Sequence, residues 1–119
     1  IFTTSAEAFV SRLYTVCLER KADITGLNSW SSLLHSRTIG GAEAAKGFFN
    51  STEFTGRKLS DKEFISCCYR TLLNREADAQ GLKDWVSVLN SGESRDFVLN
   101  GFIGSAEYGK LCSVYGIDR

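Results

Sequence analysis

The chain contains no proline in 119 residues, which suits a helical protein, since proline removes a backbone N–H and clashes with the preceding turn. An excess of either charge is also missing. Fourteen Lys and Arg balance fourteen Asp and Glu and neither sign forms a run, so the electrostatic footprint of a nucleic-acid or anionic-membrane binder is lacking. No apolar stretch approaches the roughly 20 residues needed to cross a bilayer, and no cationic segment followed by an apolar one opens the chain. Histidine occurs once, at His35, and Cys17, Cys67, Cys68 and Cys112 show no C-x-x-C spacing; a zinc site is poorly supported. There is no Gly-x-Ser-x-Gly and no phosphate-cradling glycine loop, so no catalytic residue, metal or cofactor is assigned. Glu76 and Asp78 could be offered as an acid–base pair, but charges beside a helix start are usually solvated caps. Opening at Ile1 rather than methionine, the sequence reads as a piece of a longer polypeptide.

What is present is one unit written twice. Tyr14–Trp30, YTVCLERKADITGLNSW, returns as Tyr69–Trp85, YRTLLNREADAQGLKDW. A shift of 55 residues pairs Phe9 with Phe64 and Ser36 with Ser91; after one extra residue in the first copy, a shift of 54 pairs Gly47 with Gly101 and Glu53 with Glu107. Across those two blocks 17 of 36 positions are identical, against roughly one in fifteen from average composition, so the repeat is not accidental. Two copies are too few for an open solenoid. The expectation is one compact domain over 1–119 that shares a core, with repeats at about 4–55 and 60–115.

Each copy reads as helices. Thr4-Ser5-Ala6-Glu7 and Ser60-Asp61-Lys62-Glu63 are capping boxes, followed by apolar residues at three-and-four spacing: Phe9, Val10, Leu13, Tyr14 and Cys17, then Phe64, Ile65, Cys68, Tyr69 and Leu72. Asp23 and Asp78 suit N-caps of a second helix that would bury Leu27, Trp30, Leu33 and Leu34, or Leu82, Trp85, Val86 and Leu89. Shorter helices follow, with Ala45, Phe48 and Phe49 inward in one copy and Phe97, Val98 and Phe102 in the other; Ser105 caps the last. No segment alternates with period two. The fold class is all-α, about seven helices in a pseudo-two-fold arrangement.

The strongest motif is Arg-x-x-Asp-x-x-Gly-Leu-x-x-Trp: Arg20, Asp23, Gly26, Trp30 and again Arg75, Asp78, Gly81, Trp85. A structural role accounts for every position, with Asp as cap, Arg paired to it or to exposed carbonyls, Gly permitting close approach, and Leu and Trp filling the core. A calcium loop would need evenly spaced acidic ligands that are missing. The tryptophans could stack on sugars if exposed, although helical spacing with Leu27 and Leu82 favours the core. Register places Cys17 and Cys68 opposite core leucines and Cys67 opposite Arg12, nearer the surface.

The doubled signature LYTVCLERKADITGLNSW…GFFNSTEF and CYRTLLNREADAQGLKDW…GFIGSAEY resembles the bacterial domain of unknown function 4214 family, over about 9–117. The motif is also similar to one seen near phycobilisome linker domains, which are protein–protein scaffolds. The resemblance implies an accessory module of secreted or cell-surface proteins, beside adhesive, immunoglobulin-like or hydrolytic domains, with the eight motif residues as hallmarks and no activity carried over. One departure is Glu19, with Asn74 as its counterpart, where the family more often has glycine; only the tightness of that loop is affected. The implied extracellular setting would allow a bridge between Cys17 and Cys112, tying the first helix to the last; the alternative is four free, buried thiols. The functional expectation is a non-catalytic attachment, spacing or protein-contact module at the cell surface, partnered by protein or cell-surface glycan. Carbohydrate binding is the runner-up and an enzyme a distant third.

Overall fold

The computed structural model describes residues 4–119. Thr4 starts α1 (Ser5–Arg12): its hydroxyl accepts the Glu7 amide at 3.0 Å and donates to Glu7 Oε1. The helix then widens into a π turn at Leu13–Cys17. After a connection capped by Asp23 come α2 (Ile24–His35), α3 (Gly41–Phe49) and α4 (Thr52–Gly56). The second copy repeats the order: α5 (Asp61–Cys68) with a π turn at Tyr69–Leu73, α6 (Ala79–Asn90), α7 (Arg95–Ile103) and α8 (Ala106–Val114). Seven helices have eight or more residues and α4 has five; among the described residues there is no strand. At Ser60 the capping box is complete, with Ser60 and Glu63 each accepting the other's backbone amide.

The core is a sandwich of equivalent pieces. Phe9, Val10 and Leu13 of the first copy and Phe64, Ile65 and Cys68 of the second belong to one buried cluster with Ala44, Ala45 and Phe48 and with Val98, Leu99 and Phe102, all at most 3% exposed. The Cα radius of gyration is 14.0 Å, close to the roughly 13.5 Å of a compact chain of this length. Helices α2 and α6 lie outside this core. In α2 only Ser31 and Leu34 are fully buried, and in α6 no residue is. The expected burial of Leu27, Trp30, Leu82, Trp85, Val86 and Leu89 is therefore only partial, Leu33 is exposed, and Phe97 is 53% exposed. An outer helix needs one flank to cover the core, and the sequence stripe overstates how wide that flank is.

A left-handed residue follows each π turn, Glu19 (φ 55°) one residue past the Leu18 cap of the first and Asn74 (φ 56°) directly after the second. These are the positions where the resembled family more often has glycine, and the conformation supplies the reason: glycine adopts positive φ without a Cβ penalty, asparagine at modest cost, and glutamate at more. A π turn also frees carbonyls at its end, which need donors. The opposite copy or the junction provides them. Arg12 reaches from α1 to the carbonyls of Arg70 (2.8 Å) and Thr71 and to Asn74 Oδ1 (3.2 Å). Arg57, after α4, donates to the Cys17 carbonyl at 2.7 Å and pairs with Glu19. These long arginines stitch the copies together.

The cysteines correct two expectations. All four are free and buried, so Cys17 and Cys112 form no bridge. Cys17 ends the first π turn and faces α5, with its carbonyl 4.0 Å from Cys67 Sγ. Cys112 lies on α8 against the start of α3, close enough to Gly41 that a Cβ there would meet its sulfur at 2.7 Å. Cys67 is 1% exposed rather than near the surface. Its register partner Arg12 misleads, because Arg12 is polar yet also points into the seam between copies.

Candidate functional site

The recurring motif builds two equivalent clusters at the ends of α2 and α6. In each, the aspartate caps its helix: Asp23 Oδ2 accepts the Gly26 amide at 2.8 Å and Asp78 Oδ2 the Gly81 amide at 2.9 Å. Those backbone bonds hold both carboxyls below their usual range. Each arginine lies over a tyrosine ring, Arg20 at 4.9 Å from the Tyr14 centroid and Arg75 at 5.0 Å from that of Tyr69. Its main partner is a glutamate from the last helix of its copy, α4 or α8, in a two-bonded fork: Arg20 to Glu53 at 2.6 and 2.9 Å, Arg75 to Glu107 at 2.9 and 3.0 Å. The arginine depresses each glutamate's pKa in turn. Asp23 and Asp78 are secondary partners, both at 3.5 Å.

The aromatic half is equally regular. Tyr14 meets Phe48 edge-on at 4.8 Å and Tyr69 meets Phe102 at 5.0 Å; Trp30 tilts onto Phe48 at 5.3 Å and Trp85 onto Phe102 at 5.0 Å. Glycines make this closeness possible. A Cβ on Gly26 would overlap the Tyr14 hydroxyl, and one on Gly81 that of Tyr69. One on Gly47 would overlap Trp30 Cη2, and one on Gly101 would come within 2.8 Å of Trp85 Cη2. The tryptophans cover the core while remaining half-buried. Beside the first cluster is a pocket of about 120 Å³ bordered by Tyr14, Arg20, Trp30, Phe48 and Glu53.

The structure thus gathers Arg20, Asp23, Gly26 and Trp30 at one place and Arg75, Asp78, Gly81 and Trp85 at another. Sequence reasoning missed Glu53 and Glu107 as the arginines' partners, and Tyr14 and Tyr69 as the rings beneath them. The signal was available, since all four are unchanged between copies at the register shift. Glu76 and Asp78 have separate duties: Glu76 faces Arg70 at 3.6 Å while Asp78 caps α6. Among the described residues no three His, Cys, Asp or Glu gather as a metal site, and no helix is long and apolar enough to cross a membrane.

The inter-repeat seam holds a second group of polar atoms. Cys67 Sγ is 3.6 Å from Thr71 Oγ1, and hydrogen bonding from the Cys17 thiol lowers the pKa of the Cys67 thiol. The same contact pushes Cys17 up. Such a group is nucleophilic in principle, but at 1% exposure it meets no reagent in the folded chain.

The family described as Domain of unknown function (DUF4214) matches the chain twice, over residues 2–58 and 45–112. The two matches overlap over 45–58, and each contains one copy of the motif, Arg20–Trp30 in the first and Arg75–Trp85 in the second. No curated protein and no solved structure matches. With matches spanning nearly its whole length, and with the motif built twice into equivalent clusters, the chain belongs to the DUF4214 family.

Proposed function

We propose that this domain is a non-catalytic interaction module of a larger bacterial secreted or cell-surface protein, serving attachment, spacing or protein–protein contact. The observation that carries the reading is where the recurring residues direct their bonding. Arg20, Glu53, Asp23 and Tyr14, like Arg75, Glu107, Asp78 and Tyr69, engage one another or their own backbone. The motif therefore serves the framework, and recognition falls to the surface around it. That surface bears no charge excess and exposes Ile24 (77%), Phe97 (53%) and Val114 (79%), apolar groups suited to protein contact. The cell-surface setting rests on the resemblance in the doubled motif.

A photo-crosslinking amino acid placed in turn at Ile24, Phe97 and Val114, in a bacterial cell that makes the parent protein, tests this. A discrete protein adduct from at least one position is expected. Adducts no different from those of a position inside the core, or turnover by the purified domain of any member of a hydrolase substrate panel, would overturn it. The half-buried tryptophans favour a second reading, glycan stacking. Glycan-array binding lost in folded Trp30→Ala and Trp85→Ala variants would favour that alternative.

A further inference from the structure

At one repeated position the two copies meet across their seam by different chemistry. In the first copy that position is Arg12, whose guanidinium leaves α1 to bond the Arg70 and Thr71 carbonyls at the second π turn. A shift of 55 residues puts Cys67 there in the second copy, on α5, and the element opposite is the end of the first π turn, at Cys17. The Cys17 carbonyl already has Arg57 as its donor, at 2.7 Å, so the task Arg12 performs on the other side is done. Cys67 faces Cys17 with a thiol instead. Its sulfur stands 4.0 Å from the Cys17 carbonyl oxygen, and the two thiols hydrogen-bond each other.

Besides Cys17, the Cys67 sulfur has only the weak contact with Thr71 Oγ1 at 3.6 Å. Other pairings of the four thiols fare worse. Cys67 and Cys68 are consecutive on one helix, which turns their side chains about 100° apart. Cys112 belongs to α8 and sits against Gly41 at the start of α3. Cys17 and Cys67 are 0% and 1% exposed, so a bond between them has to form while the seam is still open, as the chain folds. Packing then shields it from reductants.

We propose that Cys17 and Cys67 are a cystine pair: in an oxidising setting the folding domain joins them by a disulfide that locks the first copy to the second. The reduced chain, with four free thiols, is the form described above. The oxidant is itself a disulfide, of a small thiol or of a thiol–disulfide oxidoreductase. One cysteine thiolate attacks it, a thiol leaves and a mixed disulfide forms; the other cysteine thiolate then displaces the second thiol. Two protons pass from the cysteines to the released thiols, and the two electrons lost by the cysteine sulfurs are gained by those of the oxidant. Only the source of the oxidant rests on the proposed secreted or cell-surface setting.

The test starts from the fully reduced, urea-unfolded chain, diluted into a mixture of reduced and oxidised glutathione, quenched by alkylation and cut with trypsin without reduction. Expected is a product two hydrogens lighter in which peptide 13–20 is joined to peptide 63–70, with fragmentation placing the bond on Cys67 rather than Cys68. Cys68→Ala and Cys112→Ala should keep the bridge, and Cys67→Ala should lose it. Because the two cysteines are 50 residues apart, the closed loop should raise Tm over the reduced protein by roughly 5–15 °C. A chain that keeps all four thiols, a wild-type bond to Cys68 or Cys112, or a bridged form that melts below the reduced one would overturn the proposal. Fragmentation of the wild-type product decides even where a variant fails to fold. The crosslinks from Ile24, Phe97 and Val114 report separately: their loss removes the interaction reading and leaves the bridge, while a missing bridge leaves that reading intact.

Discussion

Gly26→Ala makes the sharpest test of how the motif works. In an ordinary helix this change is favourable by up to about 1 kcal/mol, since alanine is the better helix former. Gly26 is the third residue of α2, and its φ lies outside the left-handed region, so conformation alone would allow alanine. Space does not. The new Cβ would overlap the Tyr14 hydroxyl and stand 3.1 Å from both Asp23 carboxylate oxygens. Tyr14 cannot swing away freely, being 6% exposed and held between Phe48 at 4.8 Å and the Arg20 guanidinium at 4.9 Å. Overpacking of this kind costs about 1–3 kcal/mol, which outweighs the propensity gain and leaves a net loss of about 1–2 kcal/mol. That corresponds to roughly 3–10 °C in Tm for a domain of this size.

The assay is urea unfolding of four proteins: wild type, Gly26→Ala, Tyr14→Phe and the double variant. Tyr14→Phe removes only the overlapping oxygen, so it should cost under about 1 kcal/mol alone and recover most of the alanine penalty in combination, a coupling of about 1 kcal/mol or more. The Gly81→Ala, Tyr69→Phe cycle in the second copy should give the same sign. A neutral or stabilising Gly26→Ala, or a double variant no better than additive, would refute the close-approach account.

Four further outcomes follow from the same structure. Asp23, Asp78, Glu53, Glu63 and Glu107 all have depressed pKa values in the folded chain; their stabilisation is complete above the ordinary values of 3.8 and 4.5 and is lost as pH falls through the folded ones. The urea midpoint should therefore hold from pH 7 to about 5 and fall below about 4.5, less steeply in the Glu53→Gln, Glu107→Gln variant; a midpoint that rises on acidification contradicts this. Ellman's reagent should find no rapidly reacting thiol in the native chain and four in denaturant; a native mass short of two hydrogens, mapped to Cys17 and Cys112, would restore the bridge. Trp85→Ala should cost about 2 kcal/mol, below the roughly 3–5 of a fully buried tryptophan, because the ring is only partly buried; a loss above 4 or under 0.5 would contradict its place at the edge of the core. Glu19→Gly should raise stability by about 0.5–1 kcal/mol, as relief of the left-handed strain exceeds loss of the exposed pair with Arg57; equilibrium unfolding decides the sign.

The helices themselves were legible in the sequence because their signals are local. Asp23, Ser60, Asp78, Ser94 and Ser105 each accept the amide three residues on, a bond that needs only a short polar side chain at the right offset. The doubling was legible for a similar reason, since a residue that meets the same neighbours in each copy is held to the same identity, as Gly26 and Gly81 are beneath their tyrosines. The π turns were not. An extra residue in a helical turn leaves no mark on a pattern that already reads as an apolar stripe, and only the paired left-handed positions Glu19 and Asn74 hinted at a special corner.

By itself, then, the order of residues determined where helices begin, that the unit occurs twice, and which aromatics accompany which glycines. Tertiary structure alone decided that Arg20 and Arg75 spend their forks on Glu53 and Glu107, and that Cys67 turns into the seam while Cys17 and Cys112 lie apart. Those outcomes depend on how two bodies of packed side chains face each other, and no local spacing encodes that relation.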